Sequence, residues 1–207
     1  MKKGVLTVIS GFSGAGKGTI VKSLLNKYDH YALSISATSR APRPGEADGR
    51  EYFFVTKERF EEMIARGDLI EYTNYVGNYY GTPKSYVMDQ LGQGRDIILE
   101  IETEGALNIR KQFPDAVLIF VTAPSGAELE RRLTGRGSET TEQVRGRLAK
   151  AAHECSLMKD YDYILINDDL DTAVEEVNAI IGTHHLRTEY ASDIIEKMTE
   201  DLAQYKE

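Results

Sequence analysis

The sequence predicts an α/β fold, a parallel sheet covered by helices on both faces with a smaller mixed α/β unit inserted after its second strand. Three observations predict it. Short, largely apolar runs (Val5 to Ile9, Ile97 to Leu99, Ala116 to Val121) alternate with segments of helical periodicity, as buried parallel strands and their covering helices do. The stretch Gly11-Phe12-Ser13-Gly14-Ala15-Gly16-Lys17-Gly18-Thr19 joins the first of those runs to the first helical segment. Residues 52–80 break the alternation with a β-patterned passage rich in tyrosine.

The glycine-rich stretch has the strand, loop and helix context of a P-loop, so the core is of the P-loop NTPase type. Glycines let successive backbone N–H groups point inward, the helix start adds positive potential, and Lys17 reaches the outer phosphates. Residues 11–19 are therefore read as a nucleoside triphosphate site. Gly18 stands where a Walker loop has Ser or Thr for Mg²⁺, and the hydroxyl of Thr19 comes one place later. Mg²⁺ is accordingly expected to be held mostly by nucleotide oxygens and water.

In chain order, the helix after the loop is followed by a short strand over Ala32 to Ser36 and a Pro/Gly-punctuated loop over residues 38–49. Tyr52 to Val55 reads as a strand, Lys57 to Arg66 as a helix with Phe60, Met63 and Ile64 on one face, and Leu69 to Tyr75 and Asn78 to Tyr80 as strands around a turn at Gly77. A helix over Pro83 to Leu91 restores the alternation. Strand 96–101, helix 105–113, strand 116–121 and helix 127–133 follow, broken at Gly135-Arg136-Gly137-Ser138. A longer helix over 142–160, strand 163–166 and helix 170–181 complete it. The expected layout is core over 1–32, the insertion over 33–88, core over 89–124, helices over 125–160 with a lid near 134–146, and core over 161–185. An amphipathic helix over 186–207 carries Leu186, Tyr190, Ile194, Met198 and Leu202 at every fourth position, and packing on its own domain is favoured over a dimer contact.

Composition narrows the function. The 207 residues suffice for one domain with a substantial core. A net charge of −8 argues against a general nucleic-acid binder, so arginines that gather locally are informative. The single cysteine, Cys155, excludes an internal disulfide and suits a reducing, cytoplasmic setting; its place in a helix suggests a packed thiol. No signal peptide or membrane-length apolar run is evident. His30, His153, His184 and His185 have no metal-ligand spacing and receive no chemistry.

Arg40 and Arg43 share a proline-stiffened loop beside the insertion, a setting suited to bidentate capture of a second phosphate. Read alone, Glu71 is an exposed strand carboxylate; Asn167 and Asp168 contact the adenine side, or the Asp168-Asp169 pair caps the last helix. The stretch Ser36 to Glu46, with Gly49, Tyr52 and Phe54, then Gly77 to Thr82, Gly135-Arg136-Gly137 and Ile166-Asn167-Asp168-Asp169, closely resembles the guanylate kinase family over residues 4 to 185. That resemblance implies that the insertion is a GMP-binding subdomain. Arg40, Arg43, Tyr52 and Tyr80 would take the GMP phosphate, and Ser36, Glu71 and Thr82 would read its guanine. Glu100 and Glu102 stand where the family has a pair of acidic residues, to orient Mg²⁺-bound water or a guanine or ribose contact; Glu104 replaces the usual Gln. Arg132, Arg136 and Arg147 match the family's lid and transfer arginines.

Chemistry supports a guanine reader. Guanine presents N1–H and its N2 amine as adjacent donors that one carboxylate accepts together, whereas adenine would leave the carboxylate unpaired. The expectation is an ATP:GMP phosphotransferase, accepting dGMP, that uses Mg²⁺ with ATP and works as a monomer or homo-oligomer. Two alternatives are a kinase for AMP or dTMP and a phosphopeptide-binding module of the same fold; the intact Gly16-Lys17 pair speaks against the second.

Overall fold

The computed structural model describes residues 3–75, 77–135 and 140–205. Five parallel strands form the large sheet: β1 (Leu6–Gly11), β2 (Tyr31–Leu33), β7 (Asp96–Glu100), β8 (Val117–Thr122) and β9 (Tyr163–Ile166), in the order β2-β7-β1-β8-β9. Their side chains are uniformly apolar where the sheet is central. Ile9, Ile97, Ile98, Leu99, Leu118, Ile119 and Phe120 are all fully buried, which requires helices on both faces. Each buried side chain of this size contributes about 1.5–3 kcal/mol relative to exposure. Strand order reverses across β1, and ligand sites in such sheets lie at the carboxyl ends of the strands beside that reversal.

The loop after β1 is stereochemically confined to glycine. Gly11 has φ 134° and a Cβ there would stand 2.0 Å from the carbonyl oxygen of Val121, so β1 and β8 could not approach as they do. Gly16 has φ 93° and opens α1 (Lys17–Lys27) with no side-chain cap, leaving the first-turn amides and the positive helix terminus to an anion.

A second, four-stranded mixed sheet has the order β4-β3-β6-β5, from β3 (Ala37–Thr38), β4 (Phe53–Phe54), β5 (Leu69–Tyr75) and β6 (Asn78–Pro83). Helix α2 (Lys57–Arg66) covers it, capped by Thr56 at one end and by left-handed Gly67 at the other. Its core is small and separate: Ala37, Phe60 and Leu69 are buried, with Phe60 stacked on Tyr79 at 5.1 Å. Ile70 of β5 belongs instead to the large core, and Gln112 of α4 (Thr103–Gln112) donates to its carbonyl at 2.6 Å. The β5 side of the small sheet is thus tied to α4. Val87 and Leu91 of α3 (Lys84–Gly92) are buried in the large core too.

After α5 (Gly126–Thr134), a Thr140–Gln143 capping box starts α6 (Thr141–Glu154). The single helix expected over 142–160 is tightened into a 3-10 helix over Cys155–Asp160, which brings Tyr161 edge-on to Phe120 before β9. Cys155 is exposed, contrary to the packed thiol expected: Val144, Ala151 and Glu154 face inward, and the next position turns away.

The tail also departs from expectation. Helix α7 (Leu170–His184) ends on His185, a 3-10 helix follows at Thr188–Tyr190, and α8 spans Ser192–Asp201 with no buried residue. Leu186 is 83% exposed and Ile194, Met198 and Leu202 about half exposed, so the continuous helix packed on its own domain is not what forms. A strict four-residue repeat drifts by about 40° per step around an α-helix, so it describes no single flat face. Only Tyr190 of that series turns inward, against His184 and His185 at 5.3 and 5.6 Å.

That corner is anchored by Asp96, buried at the start of β7, which accepts from the Val5 amide at 2.8 Å and from His185 Nε2 at 2.9 Å. Removing the carboxylate leaves a buried amide unpaired. Asp96→Ala is expected to lower stability by about 1–3 kcal/mol, read as a lower denaturation midpoint with turnover per folded molecule unchanged.

Candidate active site

The site begins in the glycine loop. Lys17 Nζ donates to the carbonyls of Gly11 at 2.7 Å and Phe12 at 3.1 Å, folding back over the loop. Burial pushes its pKa below the usual lysine value, opposed by the nearby charges of Glu102, Glu100 and Glu154 and assisted by Lys150. Two further side chains brace the loop: Arg147 of α6 donates to Ser13 Oγ at 2.6 Å, and Asn167 donates to the Ala15 carbonyl at 2.8 Å. Leu129 and Leu133 of α5 close on Gly14.

Gly18 lies beside Glu100. A Cβ at Gly18 would stand 3.5 Å from both carboxylate oxygens, so Glu100 faces the position left by the missing hydroxyl. Although Glu100 is exposed as a residue, its carboxyl lies within the cleft. Partial burial raises its pKa, with Lys17 opposing and Glu102 reinforcing. Thr19 is exposed on the first turn of α1. Among the described residues, no group of three or more His, Cys, Asp or Glu side chains is arranged to hold a metal directly.

At the far side of the small sheet, Arg40 is gripped by Glu46, with both oxygens at 2.9 Å from Nη2, and donates to the Ala41 carbonyl at 2.7 Å. Its guanidinium lies over the rings of Tyr52 at 5.4 Å and Phe54 at 5.8 Å, while Tyr52 and Tyr80 meet edge-to-face at 5.9 Å. Glu46 also accepts from the Arg43 amide at 2.7 Å, and that bond, followed by those from Arg40, pulls its pKa down. The loop is therefore organised around one carboxylate that occupies the arginine fork.

Glu71 and Thr82 meet where β5 and β6 pass α4. Thr82 donates to Glu71 Oε1 at 2.7 Å, and Gly105 approaches Oε2 so closely that a Cβ there would be 3.4 Å away. Burial raises the Glu71 pKa and the Thr82 bond opposes that rise, so this is not the exposed strand carboxylate that residue type alone suggests. Ser36 is half-buried and its carbonyl accepts from the Phe53 amide at 2.9 Å. Glu102 is the residue before α4 and pairs with Lys150. Lys17, Gly18, Glu100, Glu102, Gly105, Glu71 and Thr82 thus form a continuous path from the glycine loop to the small sheet.

Arg132 is not directed at the loop: its Nε donates to Glu128 at 2.6 Å. Arg131 holds the same carboxylate through two bonds of 2.7 Å, and together they bring Glu128 to about 2. Arg136, with residues 137–139 of the expected lid, lies outside the described residues, while 141–146 of that lid form the start of α6. Glu46, Lys150 and Glu154 carry no spacing that marks them for a role. Glu46 sits within the arginine motif, but nothing in its spacing marked it as Arg40's partner. Asn167 braces Ala15, and Asp169 caps α7 by accepting from the Thr172 amide at 2.8 Å.

Residues 3–184 match the family model described as Guanylate kinase. A guanylate kinase of Clostridioides difficile is 48% identical over 203 residues, covering 98% of this chain and 99% of that protein. One from Streptococcus thermophilus is 49% identical over 189 residues, 91% of this chain and 90% of its own. The crystal structure of the enzyme from Anaplasma phagocytophilum superposes with a TM-score of 0.72 at 30% identity, covering 91% of this chain and 90% of that one. Residues 3–184 match the family model and the likeness extends over nearly the whole length of both chains, so the chain belongs to the guanylate kinase family.

Proposed function

We infer a division of labour for the reaction, the ATP-dependent phosphorylation of GMP to GDP. Residues Gly11, Phe12, Ser13, Gly14, Ala15, Gly16, Lys17, Gly18 and Thr19 hold the ATP phosphates. Arg40, Arg43, Tyr52 and Tyr80 hold the GMP phosphate, while Ser36, Glu71, Thr82 and Glu102 take the guanine. The observation that carries this reading is Glu71: a partly buried carboxylate, one oxygen bonded by Thr82 and the other facing a glycine. Such a group suits the adjacent N1–H and N2 donors of guanine. The assigned residues address base and phosphate, and dGMP falls within the substrate range.

The acceptor is an ionised phosphate oxygen and needs no strong base. Catalysis rests on alignment, neutralisation and exclusion of water. Lys17 and Arg147 act at the donor and Arg43 at the acceptor, with Arg132 and Arg136 arriving on closure. For Arg132 that means exchanging Glu128 for phosphate oxygens. The oxygen donors beside Gly18 fit Mg²⁺, with Thr19 and Glu100 the residues to hold it, Glu100 through water. When bound, Mg²⁺ neutralises charge on the donor phosphates. The small, separate core of the second sheet supports a lobe that moves over the cleft, hinged near residues 33–37 and 82–88. No helix among the described residues is long and apolar enough to cross a membrane, and a cytoplasmic setting fits nucleotide substrates and a lone exposed thiol.

A coupled ADP-release assay with GMP, dGMP, AMP, CMP and UMP is expected to give turnover with GMP and dGMP alone. Lys17→Met is expected to lose about 10²–10³-fold in kcat, and full retained turnover overturns its role. Glu71→Gln is expected to raise the KM for GMP by about 10–100-fold while leaving that for ATP near wild type. The same variant has an opposite effect on the empty protein. A raised carboxyl pKa means that the fold binds the proton more tightly than the unfolded chain, so stability falls as pH rises through the folded pKa. Glu71→Gln is therefore expected to melt higher than wild type at neutral pH, with the gap closing as pH falls toward the ordinary glutamate value. Solution scattering is expected to show a smaller radius of gyration with a bisubstrate analogue; equal values count against closure.

A further inference from the structure

Glu154 is a buried charge that the reaction as derived does not use. Its side chain is 5% exposed at the end of α6, where it accepts from Thr103 Oγ1 at 2.9 Å and lies 3.7 Å from Lys150 Nζ. Lys150 in turn donates to Glu102 Oε2. Burial alone would lower the Lys150 pKa, but the bond to Glu102 and the charges of Glu102 and Glu154 outweigh it and raise the value. Thr103 is the first residue of α4 and follows Glu102 directly. Two arms therefore run from one buried carboxylate to the same short turn: a hydroxyl bond to Thr103, and an ammonium shared with Glu102.

The arms leave α6 on one face. Arg147, Lys150 and Glu154 are three, then four positions apart, the spacing of neighbours along a helix. Arg147 reaches Ser13 of the glycine loop, Lys150 reaches Glu102, and Glu154 reaches Thr103. A single helix face touches both the donor loop and the turn that presents the acceptor-side carboxylate. Glu102 is largely exposed and makes no side-chain cap to α4, so its own element does not orient it.

We propose that Lys150, seated by buried Glu154, is a positioning residue that aims the Glu102 carboxylate at the bound acceptor nucleotide. The proposal rests on the reading that Glu102 contacts GMP. It assigns Lys150 no contact with substrate and no step in phosphoryl transfer. Without the ammonium, Glu102 samples several rotamers, and the cost falls on acceptor binding rather than on the donor.

The test is steady-state kinetics on the full chain with GMP and ATP varied separately. Lys150→Met is expected to raise the KM for GMP by about two- to fivefold, the range of an exposed ion pair, with kcat and the KM for ATP close to wild type. Lys150→Arg should restore most of that loss. In a Glu102→Gln background, Lys150→Met should add no further rise, because the charge it holds is gone. Glu154→Gln keeps an acceptor for Thr103 and removes the charge that seats Lys150, so it should reproduce the GMP-selective effect. Should that buried variant fold poorly, the exposed Lys150 variants carry the test. An unchanged KM for GMP in Lys150→Met, an equal loss for both nucleotides, or a full further loss in the Glu102→Gln background overturns the proposal. Glu102→Gln with wild-type kinetics overturns the underlying reading of Glu102 instead.

Discussion

Two polyanions must meet end to end within a chain whose own net charge is −8, and the architecture answers that constraint first. Lys17 stands at the centre of the answer, at the start of α1 and above a loop whose glycines leave backbone amides free to face an anion. Helix terminus, amides and ammonium supply positive potential from one local segment, so a globally acidic surface does not prevent phosphate binding. The sheet places that segment at the carboxyl end of β1, between β7 and β8, where the third strand's Glu100 and the turn after it come within reach.

Several other cations of the site are held by carboxylates. Arg40 is forked on Glu46, Arg132 on Glu128, and Lys150 on Glu102, while Lys17 feels Glu102, Glu100 and Glu154. Glu46 and Glu128 keep their arginines ordered in partly desolvated places. A phosphate that enters there competes with a partner of the same charge, not with bulk water alone. Binding then exchanges one anion for another around a cation already close to its working position, which limits the ordering entropy lost on association.

The two ends of the cleft differ mechanically. Glu71 and Thr82 lie where β5 is fastened to α4 and the large core, whereas Arg40, Tyr52 and Tyr80 gather on one another beside β3 and β4. Base recognition needs a rigid, desolvated carboxylate, because discrimination comes from the penalty of leaving it unpaired. Phosphate capture tolerates motion, since long arginines reach across a gap. On the proposed assignment, the base reader is the more firmly fastened of the two.

How much of this was legible follows from what each signal depends on. Strand and helix order, the glycine loop and the run carrying Arg40 and Arg43 depend on local periodicity and backbone conformation, which neighbouring residues dictate, and they could be read along the chain. The four-residue repeat of the tail was misleading for a local reason as well, since it drifts around the helix and left Ile194, Met198 and Leu202 exposed. Partnerships could not be read that way. Nothing near Glu71 says that it packs against Gly105, nothing near Glu154 points to Thr103, 51 residues away, and nothing near Asn167 points to Ala15. Those pairings arise when β5 crosses α4 and when α6 lies over the carboxyl ends of the strands, so the charge state and aim of each carboxylate are decided by packing. The sequence by itself determined the glycine loop, the loop carrying Arg40 and Arg43, and the order in which the elements run. Only the tertiary structure decided which carboxylates are desolvated and which cations they hold, because burial and proximity are properties of segments distant in the chain brought together.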